Sequence, residues 1–413
     1  MERQTEMANP ASALLEQDAS EHFGTRAAGA VVLGGDYQGL GIVRSLGRRG
    51  VPTCIVDDEH SIARYSRYAG SAVHFSNLKD ERHTVDELLS LGRRLGLEGW
   101  LLYPTRDELV AAISRYRDEL SQVFRVPTPE WESVQWAWDK RNTYRLAAQL
   151  GIPTPATWYP TSVAELEQFD ELAPPFAIKP AIKEHFVYAT RVKAWCAESH
   201  AELRTLFQKA YEIVGPGEVM VQEVIPGGGS QQYSYCAFFR AGEAVGSMVA
   251  KRRRQHPLQF GRASTFVETI EEPELEEMSE RFLRAIDYYG LVELEYKLDP
   301  RDGQYKMLDV NARTWGYHTL GASAGVDFSY MLFADQMGLP VSPGKAQPGI
   351  GWMRTTTDIP TVFLEFLAGS MGPRGYLRSL GMCRTEAVFS LEDPVPGIAE
   401  LLLIPYLAMK RGF

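Results

Sequence analysis

Polar and apolar residues alternate along VELEYKLDPRDGQYKMLDVNARTWGYHTLG, Val292 to Gly321, with Glu293, Glu295, Asp309, Asn311 and Arg313 in step on either side of DPRDGQ. Period two is the signature of a strand, and Asp, Pro and Gly supply a tight turn, so the segment reads as a hairpin with Glu295 opposite Asp309. Near the start, AGAVVLGGDYQGLGIVRSLGRRGVPTCIVDDE runs apolar stretch, glycine turn, helical spacing over Gly39 to Arg48, then a second apolar stretch over Val51 to Val56. That is a βαβ unit and implies a parallel sheet. WLLYPTRDELVAAISRYRDEL repeats it, placing the loop Pro104 to Asp107 at a strand's carboxyl end, where open α/β sheets bind ligands. Further on, the pattern predicts a proline-bracketed helix over Lys140 to Leu150, a strand in PPFAIKPAI, a helix from Ser199 to Val214, a strand in EVMVQEVI and a hairpin in SYCAFFRAGEAVGSMVAKRRR. An amphipathic helix in EPELEEMSERFLRAIDYYG leads into the first hairpin.

The chain's 413 residues allow two or three domains, and its 45% hydrophobic and 23% charged composition is that of a globular protein. A net charge of -10 argues against a general nucleic-acid binder. Cys54, Cys196, Cys236 and Cys383 match no metal spacing and suit a reduced, cytoplasmic interior. No apolar run is long enough to span a membrane. Residues 1–27 read as a disordered polar tail without the apolar core of a signal peptide. The C-terminal IAELLLIPYLAMKRGF predicts a core helix, with a membrane-surface or partner-covering helix as the alternative.

The turn Gly34-Gly35-x-x-x-Gly39-x-Gly41 departs from G-x-G-x-x-G, and close sheet-to-helix packing explains it as well as a nicotinamide site does. The hairpin carries more chemistry. Two carboxylates and an amide oxygen suit Mg²⁺, a hard cation that shares its oxygen ligands with substrate phosphates, and an arginine beside them suits phosphate oxygens. Lys179 lies in the apolar run FAIKP, where a lysine calls for a partner because burying a lone ammonium is costly.

In order, DKRNTYRLAAQLGIPTPAT, FAIKP, VQEVIPG, VELEYKLD and LDVNARTWG resemble the ATP-grasp superfamily, in particular carboxylate–amine ligases with an N-terminal pre-ATP-grasp domain. The resemblance implies an α/β and α+β architecture. A Rossmann-like parallel-sheet pre-ATP-grasp domain (28–128) would precede a two-lobed ATP-grasp domain (129–335, lobes 129–215 and 216–335) and a small C-terminal extension (336–413). It implies ATP with Mg²⁺, or Mn²⁺, as cofactor. Lys140 and Lys179 would contact phosphates, and Gln222, Glu223, Val224 and Ile225 would line adenine, with backbone contacts from Glu223 and Ile225. Glu295, Asp309 and Asn311 would hold metal, and Arg313 with Lys179 and Asn311 would act in catalysis. The loop after Lys179, glycine-rich in the family, has no glycine here, and Lys183 stands in as a phosphate contact. On the substrate side, alternate residues of AKRRRQHPLQFGRAST would face the site, and Lys251, Arg253 and Ser264 are candidates together with Asp107 and His318.

The implied reaction is amide formation through an acyl phosphate with release of ADP and phosphate. A kinase, a carboxyphosphate-forming enzyme and a silent nucleotide binder are the alternatives. The expected partners are a small carboxylate and a small amine and no nucleic acid, with a homodimer and a peripheral membrane contact through the C-terminal segment left open.

Overall fold

The computed structural model describes residues 28–258, 261 and 263–411; the tail expected over residues 1–27 lies outside them. Four parallel strands, β1 (Ala30–Leu33), β2 (Thr53–Asp57), β3 (Ser71–His74) and β4 (Leu101–Pro104), form a first sheet in the order β3-β2-β1-β4. All four residues of β1 are buried, as expected of a parallel strand covered on both faces. The turn after β1 is a packing device. A Cβ on Gly39 would lie 2.1 Å from the Gly34 carbonyl, and the Gly35 amide donates to Asp57 Oδ2 at 2.6 Å. The amide a dinucleotide phosphate would use is therefore engaged by a carboxylate.

A second, antiparallel sheet joins β5 (Thr157–Trp158), β6 (Phe176–Pro180), β7 (Trp195–Ala197) and β8 (Val219–Glu223) in the order β5-β8-β6-β7. Helix His200–Val214, capped by the Ser199 side chain, buries Leu203, Phe207 and Ala210 against it. The segment after Lys179, expected as a phosphate-covering loop, is instead the helix Lys183–Thr190.

The third sheet holds β9 (Gln232–Arg240), β10 (Glu243–His256), β11 (Ala263–Ile270), β12 (Gly290–Leu298), β13 (Tyr305–Asn311), β14 (Gly344–Lys345), β15 (Gly351–Met353) and β16 (Cys383–Glu386), with the path β13-β12-β9-β10-β11-β15-β16 and β14 beside β10. Ala241 and Gly242 turn β9 into β10 with positive φ at both positions, the backbone of a tight antiparallel hairpin. The helix Pro273–Ala285 buries Leu275, Met278, Phe282 and Leu283. Strands β15 and β16 come from the chain after residue 336, so this stretch extends the sheet as well as covering it. The closing helix Val395–Arg411 departs from the expected core helix: it turns Gly397 and Glu400 inward and leaves Ile398 and Leu402 in solvent. Among the described residues no helix is long and apolar enough to cross a membrane.

Candidate active site

Strands β12 and β13 pair in the register Glu293↔Asn311 and Glu295↔Asp309, as their alternation demands. Asn311 Nδ2 donates to Glu293 at 3.1 Å and to Glu295 at 3.0 Å, while Asn311 Oδ1 accepts from Arg313 at 3.1 Å. Tyr317 donates to Glu293 at 2.5 Å. Burial and the neighbouring Glu295 push Glu293 up to about 7. Burial works against ionisation of Glu295 too, but Arg252, Lys193 and the Asn311 amide outweigh it and hold the carboxyl at about 2. Among the described residues no three acidic, histidine or cysteine side chains form a ready metal cage. Two carboxylates and one amide oxygen with room for phosphate oxygens are nevertheless a fitting donor set for Mg²⁺, which binds through few protein ligands and keeps the rest from water and substrate. The crowding of negative charge at Glu293 and Glu295 is what a divalent cation would relieve.

Lysines converge on these acids from two other elements. Asp139 caps the helix Lys140–Gln149, putting Lys140 at its first position, where its ammonium pairs with Asp309. Lys179, on β6, reaches the Tyr144 hydroxyl at 3.2 Å. That hydroxyl also accepts from Gln222 and donates to the Leu308 carbonyl. Burial and the nearby Lys140 charge push Lys179 down to about 7. Lys140, Lys179, Lys183, Lys193, Arg252, Glu295 and Asp309 line one cleft. A second shares Lys183, Lys193, Arg252 and Glu295 with it, and adds Ser264, Glu293, Asn311, Arg313, Tyr37, Gln38 and Trp352. The two clefts meet along one charged wall.

Several expected residues stand elsewhere. Asp107, a candidate for a substrate amine, is held by two cations: its oxygens accept from Arg313 at 2.6 and 3.2 Å and pair with Lys183. Those cations outweigh burial and keep it well below the usual carboxylate range. Lys183 is likewise tied to Asp107. Strand β10 brings one of its four cations to the clefts, not two, and it is Arg252; Arg254 is buried against Asp358 instead. Arg253 is exposed and pairs with Glu268, and Lys251 lies over the Tyr233 ring. His318 is packed, bonded to the Gln38 carbonyl at 3.0 Å and close to Ser329, and burial pushes it down to about 4, so it stays neutral. Ser264 does line the second cleft. None of the described residues lining the lysine cleft comes from Gln222 to Ile225. The Glu223 amide is bonded to the Ala156 carbonyl, and the Ile225 carbonyl accepts from Lys297 at 2.6 Å. Lys193, Arg252 and Glu293 were not singled out as site residues. Period two on β10 and β12 carries the signal for the last two, since each sits two residues from another inward charge.

Protein-family profiles match none of this chain. Over 298 residues the chain is 25% identical to the D-aspartate ligase of Enterococcus faecium (strain Aus0004), covering 68% of this chain and 70% of that one. Among solved structures, the biotin carboxylase domain of the Hydrogenobacter thermophilus 2-oxoglutarate carboxylase, crystallised with MgADP, ADP and bicarbonate, superposes with a TM-score of 0.63 at 14% identity, covering 79% of this chain and 74% of that one. The L-amino acid ligase of Bacillus licheniformis superposes with a TM-score of 0.58 at 14% identity, covering 76% and 75%. The chain has the ATP-grasp fold. In ATP-grasp terms the first sheet is the pre-ATP-grasp element, and the lysine cleft opens between the sheet of β5 to β8 and the sheet carrying the acidic hairpin.

Proposed function

We propose that this ATP-grasp protein is a carboxylate–amine ligase that binds Mg-ATP in the lysine cleft and its carboxylate substrate in the second cleft. The observation that carries the reading is the shared wall of Lys183, Lys193, Arg252 and Glu295, which sets a phosphoryl donor and an acceptor side by side. Six basic side chains (Lys140, Lys179, Lys183, Lys193, Arg252 and Arg313) line the two clefts against three carboxyls (Glu293, Glu295 and Asp309). Such an excess suits a polyphosphate, and phosphoryl transfer needs positioning and charge neutralisation rather than a protein nucleophile.

A substrate carboxylate oxygen attacks the γ-phosphorus, the bond to ADP breaks, and an acyl phosphate forms. An amine nitrogen then attacks the acyl carbon, phosphate leaves, and the nitrogen loses a proton to give the amide. Lys140 and Lys179 hold phosphate oxygens, while Arg313, fixed by Asp107 and Asn311, steadies the transferring group. Glu295, Asp309 and Asn311 would hold Mg²⁺, for which Mn²⁺ could substitute, and the ion would supply charge neutralisation to the phosphates. Cleft walls from the helix after β1 (Tyr37, Gln38) and the C-terminal stretch (Trp352) support the expected divisions, 28–128, 129–335 and 336–413, acting together around one site. ATP chemistry and four free cysteines fit a cytoplasmic setting. Partial similarity to an amino-acid ligase supports an amino acid as one substrate.

The test is ADP release with Mg-ATP across amino acids, small carboxylic acids and their mixtures. Release that requires one acid together with one amine, with an amide product, supports the ligase. A stable phosphate ester made from a single substrate points to a kinase instead.

A further inference from the structure

Thirteen of the twenty exposed large apolar side chains among the described residues fall between Ile359 and Ile404. Twelve of them sit on three helices, and Leu391 lies just before the third. Ile359, Phe363 and Leu367 stand at i, i+4 and i+8 on Thr355–Leu367, and Leu377 and Leu380 stand one turn apart on Pro373–Met382. Ile398 and Leu402 stand one turn apart on Val395–Arg411. The Phe366 and Tyr376 rings meet edge to face at 6.3 Å and join the first two helices. Thr356 donates to Glu400 at 2.7 Å and joins the first to the third. These contacts bring the three helices together, and each turns its apolar stripe to solvent, with Leu367 71% and Leu402 77% exposed. Exposed apolar residues gathered in this way mark an interaction site.

Charge on this face is one-sided. Asp358 and Glu400 are turned inward and paired with Arg254 and Arg354, and Glu365 is half-buried. Arg374, Arg378 and Arg384 are all exposed, and Glu392, the exposed acid nearby, pairs with Arg48. The surface is apolar and cationic on a chain whose net charge is -10.

We propose that this three-helix face docks on the surface of an anionic membrane, its apolar residues in the headgroup layer and its arginines on lipid phosphates. A second copy fits the face poorly, because a two-fold contact would set arginines against arginines. The first 27 residues offer only Met1, Met7, Leu14, Leu15 and Phe23 as large apolar groups, too few to cover thirteen.

The test is co-sedimentation of the full chain with phosphatidylcholine vesicles, with and without phosphatidylglycerol, and it needs no ATP turnover. Vesicles with phosphatidylglycerol should bind at least about tenfold tighter, and added salt should weaken the binding. Leu377→Glu with Leu402→Glu should abolish it, and Arg374→Glu with Arg378→Glu should reduce it about tenfold, all at an unchanged melting temperature. No binding to phosphatidylglycerol vesicles overturns the proposal. So does a dimer in solution that Leu402→Glu dissociates, which makes the face a contact between copies. Binding that appears only after removal of residues 1–27 also overturns it, since the chain's own terminus is then the occupant.

Discussion

Lys179 gives the phosphate cleft a proton count that can be measured. Its ammonium is held down to about 7 by burial and by Lys140, so at about pH 8 roughly one tenth of it is charged before nucleotide arrives. Phosphate oxygens favour the charged form and draw its pKa up on binding. The sign follows: on ATP binding Lys179 itself takes up about 0.9 proton at about pH 8 and almost none at about pH 6, read as the difference between the native protein and Lys179→Arg. Above pH 7 the cost of recharging the lysine rises by about 1.4 kcal/mol per pH unit, so the Kd for Mg-ATP should rise about tenfold between about pH 8 and about pH 9. Lys140 supplies no such uptake. Asp309 outweighs the effect of its burial and raises its pKa, so it is already charged. Calorimetric titration in two buffers of different ionisation enthalpy counts the protons directly. Lys179→Arg, whose guanidinium stays charged, should bind ATP with no uptake at about pH 8. An uptake near zero in the native protein, or an unchanged one in Lys179→Arg, refutes the phosphate role of this side chain.

Glu295→Gln and Asp309→Asn should each abolish ATP turnover while the melting temperature holds; normal turnover in either would remove the hairpin from the metal site. Tyr144→Phe deletes a hydroxyl that serves Lys179, Gln222 and Leu308, and should weaken ATP binding about fivefold to tenfold, on the order of 1 kcal/mol, in an equilibrium titration. Arg254→Met leaves Asp358 buried without its partner and should cost about 3–5 kcal/mol in urea unfolding, most of it recovered in Arg254→Met with Asp358→Leu.

What the sequence revealed about this fold tracks how local each cause is. The register of β12 against β13 is written in period two and a turn, so Glu295 and Asp309 could be paired from residues alone. The glycine-free stretch after Lys179 is helical because KEHFVYAT carries no breaker, and the family's glycine-rich loop was the wrong guide there. On β10 the alternation pointed to Lys251 and Arg253 as facing the site, whereas Arg252 alone of the four cations reaches it and Arg254 is buried elsewhere. That choice depends on Asp358, more than a hundred residues later, which gives Arg254 a buried partner, and on Glu295 beside Arg252. Asp107 could be located at a strand's carboxyl end but not its partners, because Arg313 lies 206 residues away. The C-terminal helix misled for the opposite reason: its apolar composition argued for a core, and only the sheet's edge decides how much of it finds cover.

The arrangement also explains why a ligase would draw on all three parts of the chain. An acyl phosphate is lost to water unless the amine reaches it first, so the intermediate must stay where it forms. In the proposed reaction the wall of Lys183, Lys193, Arg252 and Glu295 would provide that continuity, because the two clefts share it and the phosphoryl group would not have to leave its cations to pass between them. Tyr37 and Gln38 begin the helix after β1, and Trp352 lies on β15, so the far side of the acceptor cleft is built by the chain's first and last thirds. Trp352 donates from its indole to Thr319 at 3.0 Å and is 1% exposed, which fixes that side against the hairpin's own continuation. Lys183 and Arg313 meet on Asp107, a residue of the first third, so in the proposed reaction two of the site's cations would be oriented from outside the second and third sheets. Removing the first sheet would thus disorder the acceptor side and the Arg313 guanidinium together, while Lys140 and Lys179 kept their own supports in Asp309 and Tyr144.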